Sequence, residues 1–285
     1  MIRLRFYILL ILVMMIGSCT LVDNEKPEVF YISLSDPKVK LPFSHGDDTH
    51  KIREIWAFAD GQILGIFPLP AKVPMIFTGK ETEITILAGI RNNGMLDQPA
   101  FYPFYKSINK IVKGEIDQII TVPLDFSYVE TAKFPVNESF ETNHCFTSDL
   151  DGKTKPEWVI TSSTAATGSK SGMVTLTPTD NIFEMACTNL IKKGENARGK
   201  SYLELDYKGQ GEIAVGLLKI TSGLPKITYH LFIPANENWN KIYVELTDQT
   251  SANDYSEYGV VMSIRKTGNN PESKVYLDNI KHIHF

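Results

Sequence analysis

The chain has 285 residues, 43% of them hydrophobic and 22% charged, enough material for two ordinary cores and too polar for a multi-spanning membrane protein. Its net charge of -4 supplies no basic field for nucleic acid or anionic lipid. Any membrane attachment must therefore come from a specific device.

The N-terminus carries such a device. Arg3 and Arg5 precede an unbroken apolar run over 6–16, long enough for a signal-peptide core and too short to span a bilayer. Gly17 and Ser18 then lead into Cys19. This arrangement resembles the bacterial lipoprotein signal, which implies cleavage after residue 18 and acylation of Cys19 by chains that together make attachment permanent. Residues 19–27 read as a lipidated tether, and Asp23 and Glu25 in it point to the outer membrane, on either its periplasmic or its surface side.

From residue 28 onward the pattern predicts an all-β chain. Runs over 28–34, 53–70, 73–79, 82–90, 100–108 and 116–128 are rich in β-branched and aromatic residues and punctuated by Gly, Pro and Asn. Asp60-Gly61 is the strongest hairpin signal, because a two-residue turn needs positive φ. The rhythm of Asp60, Gly61, Gly65, Pro68, Pro70 and Gly79 resembles PEGA-type and related immunoglobulin-like modules of bacterial envelope proteins, implying an Ig-like β-sandwich over 28–134 that acts as a spacer. The polar stretch 127–139, with Pro135 and Asn137, reads as the connector, and the boundary falls near Phe134.

The second half, 135–285, is expected to hold strands over 172–178, 181–191, 201–209, 211–220, 226–234, 239–247, 258–266 and 274–285. Tyr202, Leu203, Leu205 and Tyr207 alternate with Glu204, Asp206 and Lys208, which predicts a sheet wet on one side. So many antiparallel strands fit a double-sheet jelly roll. "SYLELDYKGQGEIAVGL", "NWNKIYVELT" and the closing "SKVYLDNIKHI" resemble the galactose-binding-like jelly roll of many carbohydrate-binding modules. That resemblance implies a glycan ligand on a concave sheet face or in the end loops, with Trp239, Tyr229, Tyr255, Tyr258 and Trp158 as candidate platforms beside Asn236, Asn238 and Arg265. It also implies a structural calcium ion at Glu141 and Asp278, although two carboxylates do not by themselves make a six- to eight-oxygen cage.

No catalytic residue is expected. Glu115 and Asp117 resemble the start of a glycosidase strand, yet Ile119 and Ile120 stand where its second carboxylate belongs. His45 and His50 flank Asp47 and Asp48 in what reads as a solvated loop, and His282 and His284 read as one exposed strand face. Cys145 and Cys187 fit two buried hydrophobes or, in an exported chain, a disulfide. The expectation is a lipid-anchored, non-catalytic envelope protein that needs no cofactor and binds a glycan. The alternative is a structural or assembly subunit contacting other envelope proteins.

Overall fold

The computed structural model describes residues 26–41, 48–153, 156–195, 199–252 and 254–285; Cys19, His45 and Asp47 lie outside them. The described chain is all-β, with one short helix, α1 (Thr247–Ser251).

The first half contributes β1 (Val29–Leu34), β2 (Lys38–Lys40), β3 (Glu54–Ala59), β4 (Gln62–Pro68), β5 (Ala71–Ile76), β6 (Thr82–Arg91), β7 (Pro99–Phe101), β8 (Ile108–Val112), β9 (Ile119–Thr121) and β10 (Asp125–Ser127). One sheet runs β4-β3-β6-β7, with β8 also on β6, and two smaller sheets, β5-β1-β9 and β2-β10, complete the half. The β3–β4 hairpin turns at Asp60-Gly61, whose φ values of 48° and 77° are those a two-residue turn demands. Two runs that read as single strands are broken. Pro123 separates β9 from β10, and after Pro103 the chain turns, so that Tyr102, Phe104 and Tyr105 become buried plugs rather than strand residues.

The second half contributes β11 (Lys133–Glu138), β12 (Phe146–Asp149), β13 (Val159–Thr161), β14 (Ser171–Leu176), β15 (Ile182–Cys187), β16 (Ile191–Lys192), β17 (Ser201–Gly209), β18 (Gly211–Thr221), β19 (Leu224–Ile233), β20 (Asn236–Glu245), β21 (Glu257–Lys266) and β22 (Ser273–His284). They form a sandwich of two sheets, β13-β14-β22-β17-β20 and β12-β15-β21-β18-β19, with β11 added to β22 and β16 to β21. Val174, Leu205, Val215, Val260 and Leu277 fill the space between them. Cys145 and Cys187 are joined as a disulfide of sequence separation 42. In the chain-entropy view a loop of that length stabilises the fold by about 4 kcal/mol.

The polar face of β17 is not wet. Glu204 is fully buried and Asp206 is 4% exposed, because the first half packs across this face. The core of the first half is completed by Tyr202, Tyr243 and Ile283 of the sandwich. At its centre Tyr102 and Tyr128 each donate a hydroxyl hydrogen bond of 2.7 Å to Glu204 Oε1, and Lys241 Nζ lies 3.1 Å from Oε2. Burial pushes the Glu204 carboxyl up, but Lys241, Lys281 and the two tyrosines outweigh it and hold it below the ordinary range. Around this centre, Tyr202 donates to Asn92, Asn92 donates to Glu245, and the Lys51 amide donates to the Tyr243 hydroxyl.

Glu204→Ala removes the buried carboxylate that Lys241 and the hydroxyls of Tyr102 and Tyr128 meet. We expect a loss of about 3–5 kcal/mol in chemical denaturation, against which Glu204→Gln, which keeps an acceptor, loses less. Equal losses would mean that the charge contributes nothing.

Candidate functional site

Two surfaces outside the cores gather chemistry-bearing side chains. The first is the outer face of the β12-β15-β21-β18-β19 sheet. Cross-strand register sets Ala186, Val261, Gly216 and Tyr229 in one row, Glu184, Ser263, Ala214 and Phe232 in the next, and Ile182, Arg265 and Glu212 beyond. A bulge opposite Val215 and Gly216 brings Tyr229 against Gly216, where an added Cβ would lie 3.0 Å from Tyr229 Cδ1. The Tyr229 hydroxyl donates to Glu184 Oε1 at 2.6 Å, and burial, then Glu184, push its pKa up, so it stays a donor. Phe232, 55% exposed, stands 6.3 Å from Tyr229 between ring centroids. Leu150, Leu218 and Ile220 give the face a small apolar base. Flat rings flanked by Glu184, Arg265 and Glu212 match the CH-rich face and the hydroxyls of a sugar.

The second surface is a cleft of about 690 Å³ between the halves, within the range of small-molecule sites. One wall comes from 38–40 and 48–53 and the floor from Asp206 and β20 residues Trp239, Asn240 and Lys241. Asp206 Oδ2 accepts from Thr49 at 2.7 Å and from Asn279 at 2.9 Å, and Lys241 donates to Thr49 at 3.0 Å, so the floor is tied to both halves. Burial, then Lys241, lower the His50 pKa; burial, then Arg53, lower that of Lys51.

Of the five aromatic candidates, Tyr229 lies on the open sheet face and Trp239 lines the cleft, half-buried, with its Nε1 donating to Thr164 at 3.0 Å. Trp158, Tyr255 and Tyr258 are respectively 8%, 5% and 0% exposed and present no face to a ligand. Trp158 packs edge-on against Phe183, and Tyr255 against Tyr258, because a sandwich core needs large rings between its sheets. Nothing in the sequence marks Phe232, because its strand lacks clean alternation, or the five cations of the cleft, Lys38, Lys40, Lys51, Arg53 and Lys241, because the floor that the first four face comes from the other half of the chain.

Glu141 and Asp278 do not fit a calcium cage. Both serve the loop over 164–170: Glu141 accepts from the Ser169 amide and hydroxyl and the Lys170 amide, Asp278 from the Ala166 and Thr167 amides. Lys170 Nζ also donates to the Glu141 carbonyl at 2.8 Å, a further tie between Glu141 and this loop. Among the described residues no group of three His, Cys, Asp or Glu side chains converges.

His282 and His284 are buried, not exposed, because their face of β22 turns inward between the two sheets, where His282 meets Tyr258 of the opposite sheet and His284 packs beside it. His282 Nε2 sits 3.1 Å from the Ser201 hydroxyl and 3.3 Å from that of Tyr258.

No protein-family model matches the chain, and no curated protein matches it in sequence. Among solved structures it aligns with a family 22 xylan-binding domain from Paenibacillus barcinonensis at 14% identity, covering 55% of this chain and 96% of that one with a TM-score of 0.39. A family 11 carbohydrate-binding module of a cellulosomal cellulase from Clostridium thermocellum gives 16% identity, 55% and 96% coverage and a TM-score of 0.39. A carbohydrate-binding module from the beta-sandwich superfamily gives 14% identity, 80% and 84% coverage and the same TM-score of 0.39. Likenesses this loose assign no ligand to the chain.

Burial, helped by His284, lowers the His282 pKa to about 3. Below the ordinary imidazole value near 6.5 the unfolded chain takes up a proton that the fold refuses, so stability falls as pH drops from about 6.5 towards 3, by up to ~1.4 kcal/mol per unit. Asp278, raised by burial to about 7, acts in the opposite sense from about 4 to 7, holding a proton that the unfolded chain has lost. His282→Gln removes the first contribution alone. Its urea stability should therefore fall less steeply on acidification than that of the parent, and an unchanged slope would contradict a neutral buried imidazole.

Proposed function

We propose that this chain is a lipid-anchored, non-catalytic envelope protein that binds a glycan along the outer face of the β12-β15-β21-β18-β19 sheet. The observation that carries the reading is the pair Tyr229 and Phe232, side by side on an open strand face with carboxylates and a guanidinium in the flanking rows. Phe232 makes no use of the sandwich core, whose packing would have hidden it; its ring is spent on the surface. Small neighbours, Ala186, Ala214 and Gly216, leave the rings standing above a shallow lane across three strands.

The Gly-Ser-Cys sequence ending at Cys19 supports lipid anchorage, and Asp23 and Glu25 just after it support the outer membrane, with the first half as a spacer. A second reading has its own observation: β19 is an edge strand with Leu224 71% and Ile227 37% exposed, a template for adding a strand from an envelope protein partner.

Titration of the soluble fragment with xylan, mixed-linkage glucan, mannan and pectin should give saturable binding to at least one of them. Tyr229→Ala and Phe232→Ala should each weaken it about tenfold or more, with unchanged melting for the exposed Phe232. Failure of every polysaccharide, with a protein partner recovered that Ile227→Asp abolishes, would replace the first reading by the second. Separately, full-length protein should label with palmitate and sediment with membranes, and Cys19→Ser should lose both; retention of both refutes the anchor.

A further inference from the structure

Among the described residues, the cleft between the two halves carries more positive charge than its lining carboxylates neutralise. Lys241 is answered by Glu204 at 3.1 Å, and Lys40, on the rim, by Asp125 at 3.2 Å. Among the described residues, Lys38, Lys51 and Arg53 have no carboxylate within ion-pair distance, although all three line the same cavity. Lys51 donates to the Asn240 side chain, which fixes its ammonium at the floor. Asp206, 3.8 Å from Lys241 and hydrogen-bonded by Thr49 and Asn279, answers Lys51 only from beyond ion-pair distance, and Asp48 sits at the exposed lip, so among the described residues these acids are fewer than the cations of the cleft.

Cations gathered without counter-charge repel one another, and a structure that holds them together gains when an anion enters. Trp239 adds a half-buried indole on the same floor, with Tyr276 6.4 Å beyond it. An aromatic ring beside three cations favours a ligand with both an apolar face and an acidic group over a bare inorganic anion. We propose that this cleft binds an acidic saccharide, a sugar bearing carboxylate or sulfate, with Lys38, Lys51 and Arg53 on the acidic groups, Trp239 under the ring and Asn240 beside a hydroxyl. The site lies on the sheet opposite to Tyr229 and Phe232 and needs both halves of the chain, so it is independent of the glycan face proposed above.

Isothermal titration with trigalacturonate, a sulfated chondroitin disaccharide, neutral xylotriose and inorganic sulfate tests it on the soluble fragment from residue 27 onward. One or both acidic sugars should bind, and the one that does identifies the acidic group; affinity should fall steeply with salt, and neither xylotriose nor sulfate should compete at equal concentration. Lys38→Ala with Arg53→Ala, both exposed positions, should weaken acidic-sugar binding at least about tenfold with unchanged melting, and Trp239→Phe should weaken it less than Trp239→Ala. Tyr229→Ala with Phe232→Ala should leave it unchanged. Binding that survives the Lys38 and Arg53 substitutions, full competition by sulfate, or loss on the Tyr229 and Phe232 substitutions would each overturn the proposal, the last by showing that one face serves both kinds of sugar.

Discussion

Glu204 organises this molecule. It is a carboxylate on a strand face, with no exposure, taking two tyrosine hydroxyls from one half of the chain and the Lys241 ammonium from its own sheet. An ion in that position is costly to bury unless every oxygen is answered, so the interface tolerates few other arrangements of the two halves. The Tyr102–Phe104–Tyr105 plug, the Asn92–Glu245 contact and the Lys51–Tyr243 contact all lie around that one centre.

The same constraint shapes the surfaces. Because the first half covers part of the β22-β17-β20 face, the remainder of that face becomes the floor of a cleft whose wall is the segment around Lys38 and Lys51. The other sheet is not packed against the first half, and on its outer face Phe232 and Arg265 are exposed and Tyr229 and Glu184 half-buried beside a small buried patch of Ala186, Leu218 and Val261. One sheet thus holds the structure together and offers a recess at the junction; the other offers an open plane.

Strand identity was legible because it is local. Positive φ at Asp60 and Gly61, the β-branched runs of β6, β18 and β21, and the closing strand through Asp278 follow from residues adjacent in sequence. Where local reading failed, a distant partner was responsible. The alternation in β17 is a true amphipathic pattern, but the partner of its polar side is protein, and the Glu204 carboxylate that suggests solvent is the one most deeply buried. His282 and His284 failed in the same way, as did Trp158, Tyr255 and Tyr258, whose rings serve the core. The Cys145–Cys187 bridge needed two sequence-remote strand ends to come together.

By itself the sequence determined that the body is all-β and where the Asp60-Gly61 hairpin turns, since periodicity and turn chemistry act over a few residues at a time. Only the tertiary structure decided which polar face is interface, which aromatics are surface and which lysines share a cleft. Those are properties of side chains up to 200 positions apart, such as Lys51 and Asn240, whose separation is 189, and no local pattern encodes their meeting.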